Sequence, residues 1–486
     1  MKIMFFEPYT RHSPHFEYCL EQIQVHLDKG NEVFFVGCNA EFSACDNNLF
    51  HSSAICKSCV ERCDKGISLL SKKVKINNSI IITPEEQVIV DEYIQKVVFN
   101  NVEELKKIKF RDFDLGMGVA SSLITHFRNP YFDVKRNKRL IRNYIESSIK
   151  VYLSLKRYVE DEKIDAIHIF NGRLAHLRPA LRVAEEKGID YYTHEAGASR
   201  NKYAIYKNMM PHNFTKRREL IREFWESADK NERVKMGASF YEDQATGRAR
   251  DKSFHHVKDQ KKNALPSNWD ASKTNLVIFN SSEDEFAAIA SKRSMGVYPS
   301  QLVGIQKMVE GLKDNEDYHI YLRIHPNLRN ANKKILEELY QITAPNLTIL
   351  GPKDPTSTYE LIDKATAVIT FISTVGIEAA FRGKIAIVVG NAMYSDLGGT
   401  YAPKSQEEVI SLLNKVKDLP PLDKEGAYIY GYYRKYYGIL CKYYESEGLS
   451  KGKFKGVNLD DACSALPLTR FFEKLQWVRK HYFRYN

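Results

Sequence analysis

Short apolar runs alternate with amphipathic stretches along most of this chain. A strand is predicted over 2–7, a helix over about 16–29 and a strand over 32–36, a β-α-β opening. A further strand is expected at 79–83. Between 136 and 162, Leu140, Ile141, Tyr144, Ile145, Ile149, Tyr152, Leu155 and Val159 recur at near-helical spacing, which predicts one long helix with a single apolar face. A strand at 165–170 ends in Asn171-Gly172-Arg173. A helix closed by Gly188 follows, then a strand at 190–193 ending in His194-Glu195-Ala196-Gly197.

Residues 229–272 are polar, charged and without strand signals, and the domain boundary is expected there. The second half then alternates regularly. Strands at 275–280, 319–324, 347–350, 367–372 and 385–389 are separated by helices at about 299–311, 331–342, 358–364 and 376–382. Val- and Ile-rich runs alternating with helices predict a parallel sheet covered on both faces. The expected fold class is α/β, with two Rossmann-like doubly wound domains facing a cleft and helices at the C-terminus. The expected domains are 1–265, with a cysteine-rich insert at about 38–63, then 270–422. A helical, tyrosine-dense segment, 423–486, is expected to pack back on the first domain. In such sheets ligands bind beyond the carboxyl ends of the strands.

The 486 residues carry a formal charge of +11, with 43% hydrophobic and 27% charged positions, as in a chain with a packed core. No apolar run has the length of a membrane span, and Met1-Lys2 leads directly into a strand rather than a signal peptide, so the expected location is cytoplasmic. The basic residues are dispersed and no nucleic-acid motif is present, which leaves phosphorylated small molecules or an anionic membrane surface as partners. The last stretch, 470–486, mixes Phe471, Leu475, Trp477 and Val478 with Lys474, Arg479 and Lys480. It reads either as a helix on the inner membrane surface or as a terminal helix docked on the core.

Candidate chemistry gathers at predicted strand ends. Arg323-Ile324-His325-Pro326 and Ser373-Thr374-Val375-Gly376-Ile377-Glu378 each follow a strand, and the second opens a helix. Hydroxyls, backbone N–H groups, an arginine and a histidine suit a phosphate, and Glu378 suits ribose hydroxyls or the helix dipole. Ser281 and Ser282 close another strand and are candidates for the same ligand. The carboxylates of Glu283-Asp284-Glu285 and of Asp112 and Asp114 read better as helix starts than as metal ligands. Glu195, ahead of His194, suits a general base, with Asn171, Arg173 and Arg200 for an anionic acceptor. Cys38, Cys45, Cys56 and Cys59 include one Cys-x-x-Cys pair and are candidates for a structural zinc, with His51 or Cys63 as substitute ligands.

The strings Arg323-Ile-His325-Pro326 and Ser373-Thr374-Val-Gly376-Ile-Glu378-Ala-Ala-Phe-Arg-Gly383-Lys384 resemble those of the GT-B glycosyltransferases of bacterial surface polysaccharides, particularly the capsule polysaccharide biosynthesis family. The resemblance is strongest over about 275–410. It implies a nucleotide-sugar donor, CMP-linked ulosonic acid or else a UDP-sugar, with its phosphate at His325, Ser373 and Thr374. It also implies an acidic base, Glu195, an acceptor-side first domain, a saccharide or lipid-linked saccharide acceptor, and no metal in catalysis. Inversion would need only Glu195 as base. Two departures are visible: Ile385 follows Gly-Lys where proline is common, and His-Glu-Ala-Gly replaces the acidic pair before glycine of the related sialyltransferases. His194-Glu195-Ala196-Gly197-x-x-Arg200 is also similar to a segment of UDP-N-acetylglucosamine 2-epimerases, although the Pro-Glu-Glu-x-Asn-Arg that follows in those enzymes is absent. A non-catalytic, basic, membrane-associated assembly factor is the remaining alternative.

Overall fold

The opening β-α-β pattern grows into a seven-stranded sheet. Its strands are β1 (Lys2–Phe6), β2 (Glu32–Val36), β3 (Lys75–Asn77), β4 (Ala166–Phe170), β5 (Asp190–Ala196) and β6 (Lys202–Lys207), joined by β12 (Ile439–Leu440) from the far end of the chain. The spatial order is β12-β6-β5-β4-β1-β2-β3. β1 and β4 lie at the centre and are almost wholly apolar and buried, as strands covered on both faces must be. The second sheet is parallel throughout, in the order β11-β10-β7-β8-β9. It comprises β7 (Thr274–Phe279), β8 (Tyr318–Arg323), β9 (Leu347–Leu350), β10 (Ala367–Thr370) and β11 (Ile385–Val388). A small hairpin of β13 (Tyr444–Ser446) and β14 (Gly452–Phe454) completes the strands among the described residues. The computed structural model describes residues 1–77, 79–246, 260–282, 296–330, 333–448, 451–464 and 466–485. They divide into two units, Met1–His212 with Gly438–Asn486, and the described residues between Asn213 and Tyr437. The α/β class with Rossmann-like sheets is as expected, the second sheet wholly parallel and the first parallel except at β6 and β12.

Local chemistry explains where the elements differ from expectation. The strand expected at 79–83 is a loop, and β3 precedes it. Thr83 instead caps helix Pro84–Lys96. Its hydroxyl accepts from Glu86 N at 3.2 Å and the Glu86 carboxylate accepts from Thr83 N at 2.7 Å. β5 runs on to Ala196 because β6 pairs antiparallel with it from Tyr192↔Lys207 to Ala196↔Tyr203. His194 and Glu195 therefore stand on a strand rather than in the loop after it.

The boundary falls after His212, not near 265–270. Helices Phe214–Glu226 and Arg233–Ala245 look solvent-facing in sequence, yet they bury Trp225, Phe240 and Tyr241 in a core that contains Tyr430 and Tyr433 of helix Glu425–Tyr436. The crossing is close. A Cβ on Gly237 would stand 2.3 Å from the Tyr428 carbonyl oxygen, and one on Gly431 2.3 Å from that of Gly237.

The C-terminal segment is thus divided rather than returning whole. From Gly438 onward it belongs to the first unit. β12 extends the sheet beside β6, and the buried Glu21 carboxylate accepts the N–H groups of Lys442, Tyr443 and Tyr444 at 2.7, 2.8 and 3.0 Å. Buried Arg62 pairs with Glu17 and, at 2.8 Å, with Asp460. Among the described residues no helix is long and apolar enough to cross a membrane.

Gly237→Ala is expected to destabilise the second unit by about 3 kcal/mol, the upper range for forcing atoms into a packed contact. Urea denaturation followed by fluorescence of Trp225 and Trp269, both in that unit, measures it; an unchanged midpoint would mean the helices do not meet at these glycines.

Candidate functional site

The parallel ladder of the second unit aligns the last residues of its strands. Val388, Thr370, Phe279, Arg323 and Leu350 form one row across the sheet. The segments that follow leave the same edge. A cavity of about 110 Å³ opens there, lined by Gln244, Gln260, Phe279, Asn280, Arg323, His325, Pro326, Thr358, Tyr359, Ser373, Thr374, Val375 and Glu378. Residues from both sequence strings, selected separately, thus line one cavity.

Their bonding assigns them different tasks. Arg323 is buried, and its guanidinium donates to the carbonyls of Gly351 at 2.8 Å and Asp354 at 2.9 Å. It holds the loop after β9 rather than offering its fork to a ligand. His325 is positioned by Asn280, whose side-chain oxygen accepts from His325 N at 2.7 Å. The His325 Nδ1 accepts from Asn327 N at 3.1 Å, which leaves the ring proton on Nε2, a donor suited to an oxyanion. Ser373 Oγ accepts from Val375 N at 3.3 Å. Thr374 Oγ1 and the Tyr359 phenol donate to the two oxygens of Glu378 at 3.0 and 3.1 Å. Burial pushes the Glu378 carboxyl up while these two donors pull it down. Gly376 packs where a Cβ would meet the Tyr394 hydroxyl at 2.5 Å and Thr370 Oγ1 at 2.6 Å, so glycine brings helix Val375–Phe381 close to the sheet. That helix spans seven residues, so hydroxyl and backbone donors matter here more than a macrodipole.

Ser281 and Ser282 are buried but do not line the cavity; Ser281 exchanges backbone hydrogen bonds with the Gln301 side chain at 2.7 and 3.2 Å. The Glu283-Asp284-Glu285 run lies outside the described residues. Sequence reasoning missed Asn280, Tyr359, Gln244 and Gln260. Asn280 directly follows a strand, as His325 nearly does, and was open to the same argument; the glutamines carry no local signal.

In the first unit Asn171 follows β4 in the left-handed region (φ +55°), with Gly172 at +82°. A Cβ on Gly172 would stand 2.0 Å from Leu181 Cδ1. The turn lets Asn171 donate from Nδ2 to the Glu195 carboxylate, which it orients. Arg173 donates to the hydroxyls of Ser121 at 2.8 Å and Thr125 at 3.0 Å. Arg200 lies in the β5–β6 turn, where its carbonyl accepts from the Tyr18 phenol at 2.8 Å. His194 is buried beside Phe170 and His15, and burial holds its imidazole down at about 3. It is neutral at physiological pH. Asp114 pairs with Arg178 at 2.8 Å and Arg182 at 2.7 Å, a structural role that fits its reading as no metal ligand.

The zinc expectation does not hold. Cys38, Cys45, Cys56 and Cys59 do line one small cavity, of about 20 Å³. Yet among the described residues no three His, Cys, Asp or Glu side chains are grouped to hold a metal ion. Burial pushes all four thiols up. The Cys59 sulfur lies 3.0 Å from the Thr10 hydroxyl, the Cys56 sulfur accepts from Asn48 at 3.2 Å, and His51 Nδ1 lies 2.6 Å from the Phe42 carbonyl oxygen.

One wholly parallel and one mainly parallel sheet, each in an α/β unit, with a polar cavity at a carboxyl edge of the second, define a Rossmann-like class of architecture. A family model described as "Capsule polysaccharide biosynthesis protein" matches residues 159–410, just over half of the chain, and the chain belongs to that family. The glycosyltransferase class implied by the two C-terminal strings is thereby borne out. No curated protein sequence is matched. Among solved structures the chain is similar to KpsC, beta Kdo 2,4 transferase, from Thermosulfurimonas dismutans, at 12% identity over 55% of this chain and 79% of that one, TM-score 0.34. It is also similar to the beta Kdo 2,7 transferase of the same KpsC, at 13% identity over 65% and 89%, TM-score 0.32. The UDP-GlcNAc 2-epimerase from Neisseria meningitidis, bound to UDP-GlcNAc, matches at 12% identity over 97% and 100%, TM-score 0.26. These are remote likenesses and decide nothing about substrate.

The neutral His194 generates a pH prediction. Its pKa is about 3 folded and 6.5 at its ordinary value, so below pH 6.5 the unfolded chain binds the proton first and stability falls with pH. At about 1.4 kcal/mol per pH unit, the step from pH 6.5 to 5 removes about 2 kcal/mol through this residue. His194→Asn is expected to lose about 2 kcal/mol less than the parent over that step in urea titrations; equal losses would assign the acid sensitivity elsewhere.

Proposed function

We propose that the protein moves a sugar from a CMP-linked ulosonic acid, bound in the second unit, to a saccharide or lipid-linked saccharide of a growing surface polysaccharide. The convergence of Arg323, His325, Pro326, Ser373, Thr374 and Glu378 on one cavity carries this reading. The leaving phosphate is stabilised by the His325 Nε2 proton and the Ser373 hydroxyl, where negative charge develops, while Thr374 spends its proton on Glu378. Glu378, fixed by Thr374 and Tyr359, retains acceptor capacity for ribose hydroxyls. Glu195, oriented by Asn171, takes the proton of the acceptor hydroxyl. His194, neutral and buried, carries no proton in the reaction. The reaction belongs at the cytoplasmic face of the membrane, where a lipid-linked acceptor is available.

The His194-Glu195-Ala196-Gly197-x-x-Arg200 segment supports the epimerase as second reading. Incubation with UDP-N-acetylglucosamine and no acceptor separates the two, since only an epimerase turns over.

Thermal unfolding with CMP, CDP, UDP and GDP tests the donor. Cytidine nucleotides are expected to stabilise most, by about 2.7 kcal/mol at a hundredfold excess over Kd, and His325→Ala to abolish the shift. Stabilisation by UDP alone would make the donor a UDP-sugar, and no stabilisation at all would sink the transferase reading. Glu195→Gln is expected to lower transfer by at least about 100-fold with nucleotide stabilisation intact; unchanged turnover would remove it as the base.

A further inference from the structure

Helix Leu466–Tyr485 packs on the first unit with the wrong side inward. Its protein-facing contacts are largely polar. Thr469 Oγ1 donates to the Ala54 carbonyl at 3.1 Å, Gln476 Nε2 to Asn48 Oδ1 at 3.1 Å, and Glu473 pairs with Arg11 at 2.6 Å. Thr469 and Gln476 are the buried positions. Among its described large apolar residues Phe472 is half-buried, and five lie on the outside: Leu468, Phe471, Leu475, Trp477 and Val478 are each 43–58% exposed. At about 3.6 residues per turn these five fall on one half of the helix together with the exposed Arg470 and Lys474. The only acidic residue between 466 and 480 is Glu473, which is 46% exposed and paired with Arg11 outside that half.

An amphipathic helix in a soluble unit normally turns its apolar stripe to the core. Here the stripe is left outside, interleaved with positive charge. We propose that this face docks on an anionic bilayer surface, with Phe471, Leu475, Val478 and Trp477 entering the headgroup boundary and Arg470 and Lys474 meeting lipid phosphates. The charge pattern selects this occupant over a second copy of the chain. A two-fold interface places the same patch on both partners, so Arg470 and Lys474 would face their own kind, with the one carboxylate of this stretch, Glu473, already paired with Arg11. A bilayer rich in anionic lipid complements every exposed charge on the face, and the formal charge of +11 favours the same approach. The surface belongs to the first unit, and its occupancy is independent of which nucleotide the second unit binds.

Vesicle flotation with the full chain tests this, using phosphatidylcholine vesicles with and without phosphatidylglycerol. The protein is expected to float only with the phosphatidylglycerol vesicles, and high salt to release it. Arg470→Gln with Lys474→Gln should lower partitioning about 30-fold, at about fivefold per charge. Phe471→Ser with Leu475→Ser should abolish it, and the blue shift of Trp477 emission on binding should vanish in Trp477→Phe. The substituted side chains are exposed, so thermal midpoints should be unchanged, and an unchanged nucleotide response would show the donor site intact. No flotation, or flotation indifferent to both double substitutions, overturns the proposal. So does a dimer in light scattering that Phe471→Ser with Leu475→Ser dissolves while vesicles stay unbound.

Discussion

The register of one parallel ladder decides what this protein can bind. β10, β7 and β8 end in the same row, Thr370, Phe279 and Arg323. Strands lie about 4.8 Å apart, so residues remote in sequence leave the sheet within about 10 Å of one another. The loops are then fixed by a few bonds between neighbours. Asn280 holds the backbone of His325, and Arg323 holds the carbonyls of Gly351 and Asp354. A one-residue slip in any of the three strands would turn its side chains to the opposite face and take the cavity apart. The chemistry of the site is therefore a consequence of strand pairing first and of the individual motifs second.

This is also why the second unit was so legible. β7 is buried along its whole length, as are β10 and β11, so each reads as a short, unbroken apolar run. The residues after such runs are the ones that a parallel sheet presents to a ligand. The same logic did not foresee that Arg323 spends its guanidinium on two carbonyls, because a backbone acceptor leaves no mark in sequence. Nor did it place Ser281 and Ser282, whose loop turns toward Gln301. Gln244 and Gln260 reach the cavity from outside the strand pattern, and only the fold brings them there.

The first unit was harder to read for three separate reasons. Its boundary was hidden because helices Phe214–Glu226 and Arg233–Ala245 are polar on most of their circumference. Their few large residues find cover only on the tyrosine-dense helix Glu425–Tyr436, about two hundred residues later. β6 was missed because Lys202–Lys207 mixes lysines and tyrosines, and its pairing with β5 is a tertiary fact. The cysteine cluster misled by spacing. Four thiols do line one cavity, but among the described residues no three His, Cys, Asp or Glu side chains are grouped to hold a metal ion. The Asn171-Gly172 turn, noted in sequence only as a strand end, carries more than that reading foresaw. Asn171-Gly172 needs the left-handed region, and from there the Asn171 amide reaches Glu195.

Helix Leu466–Tyr485 shows what composition can and cannot reveal. From sequence, its aromatic and basic residues fit either a core-docked helix or a membrane-facing one, because amphipathicity states that two faces differ and not which one is inside. The contacts decide it. Thr469, Glu473 and Gln476 use polar groups of the first unit that would otherwise need water, so the docked face is satisfied by hydrogen bonds and an ion pair. The apolar stripe stays 43–58% exposed and forgoes hydrophobic stabilisation of roughly 25 cal/mol per Å² of apolar surface left in water. A fold that accepts this loss on five large residues of one helix, with Arg470 and Lys474 beside them and the one nearby carboxylate, Glu473, paired with Arg11, leaves a face whose cover must come from outside the unit, which is what the proposed lipid contact supplies.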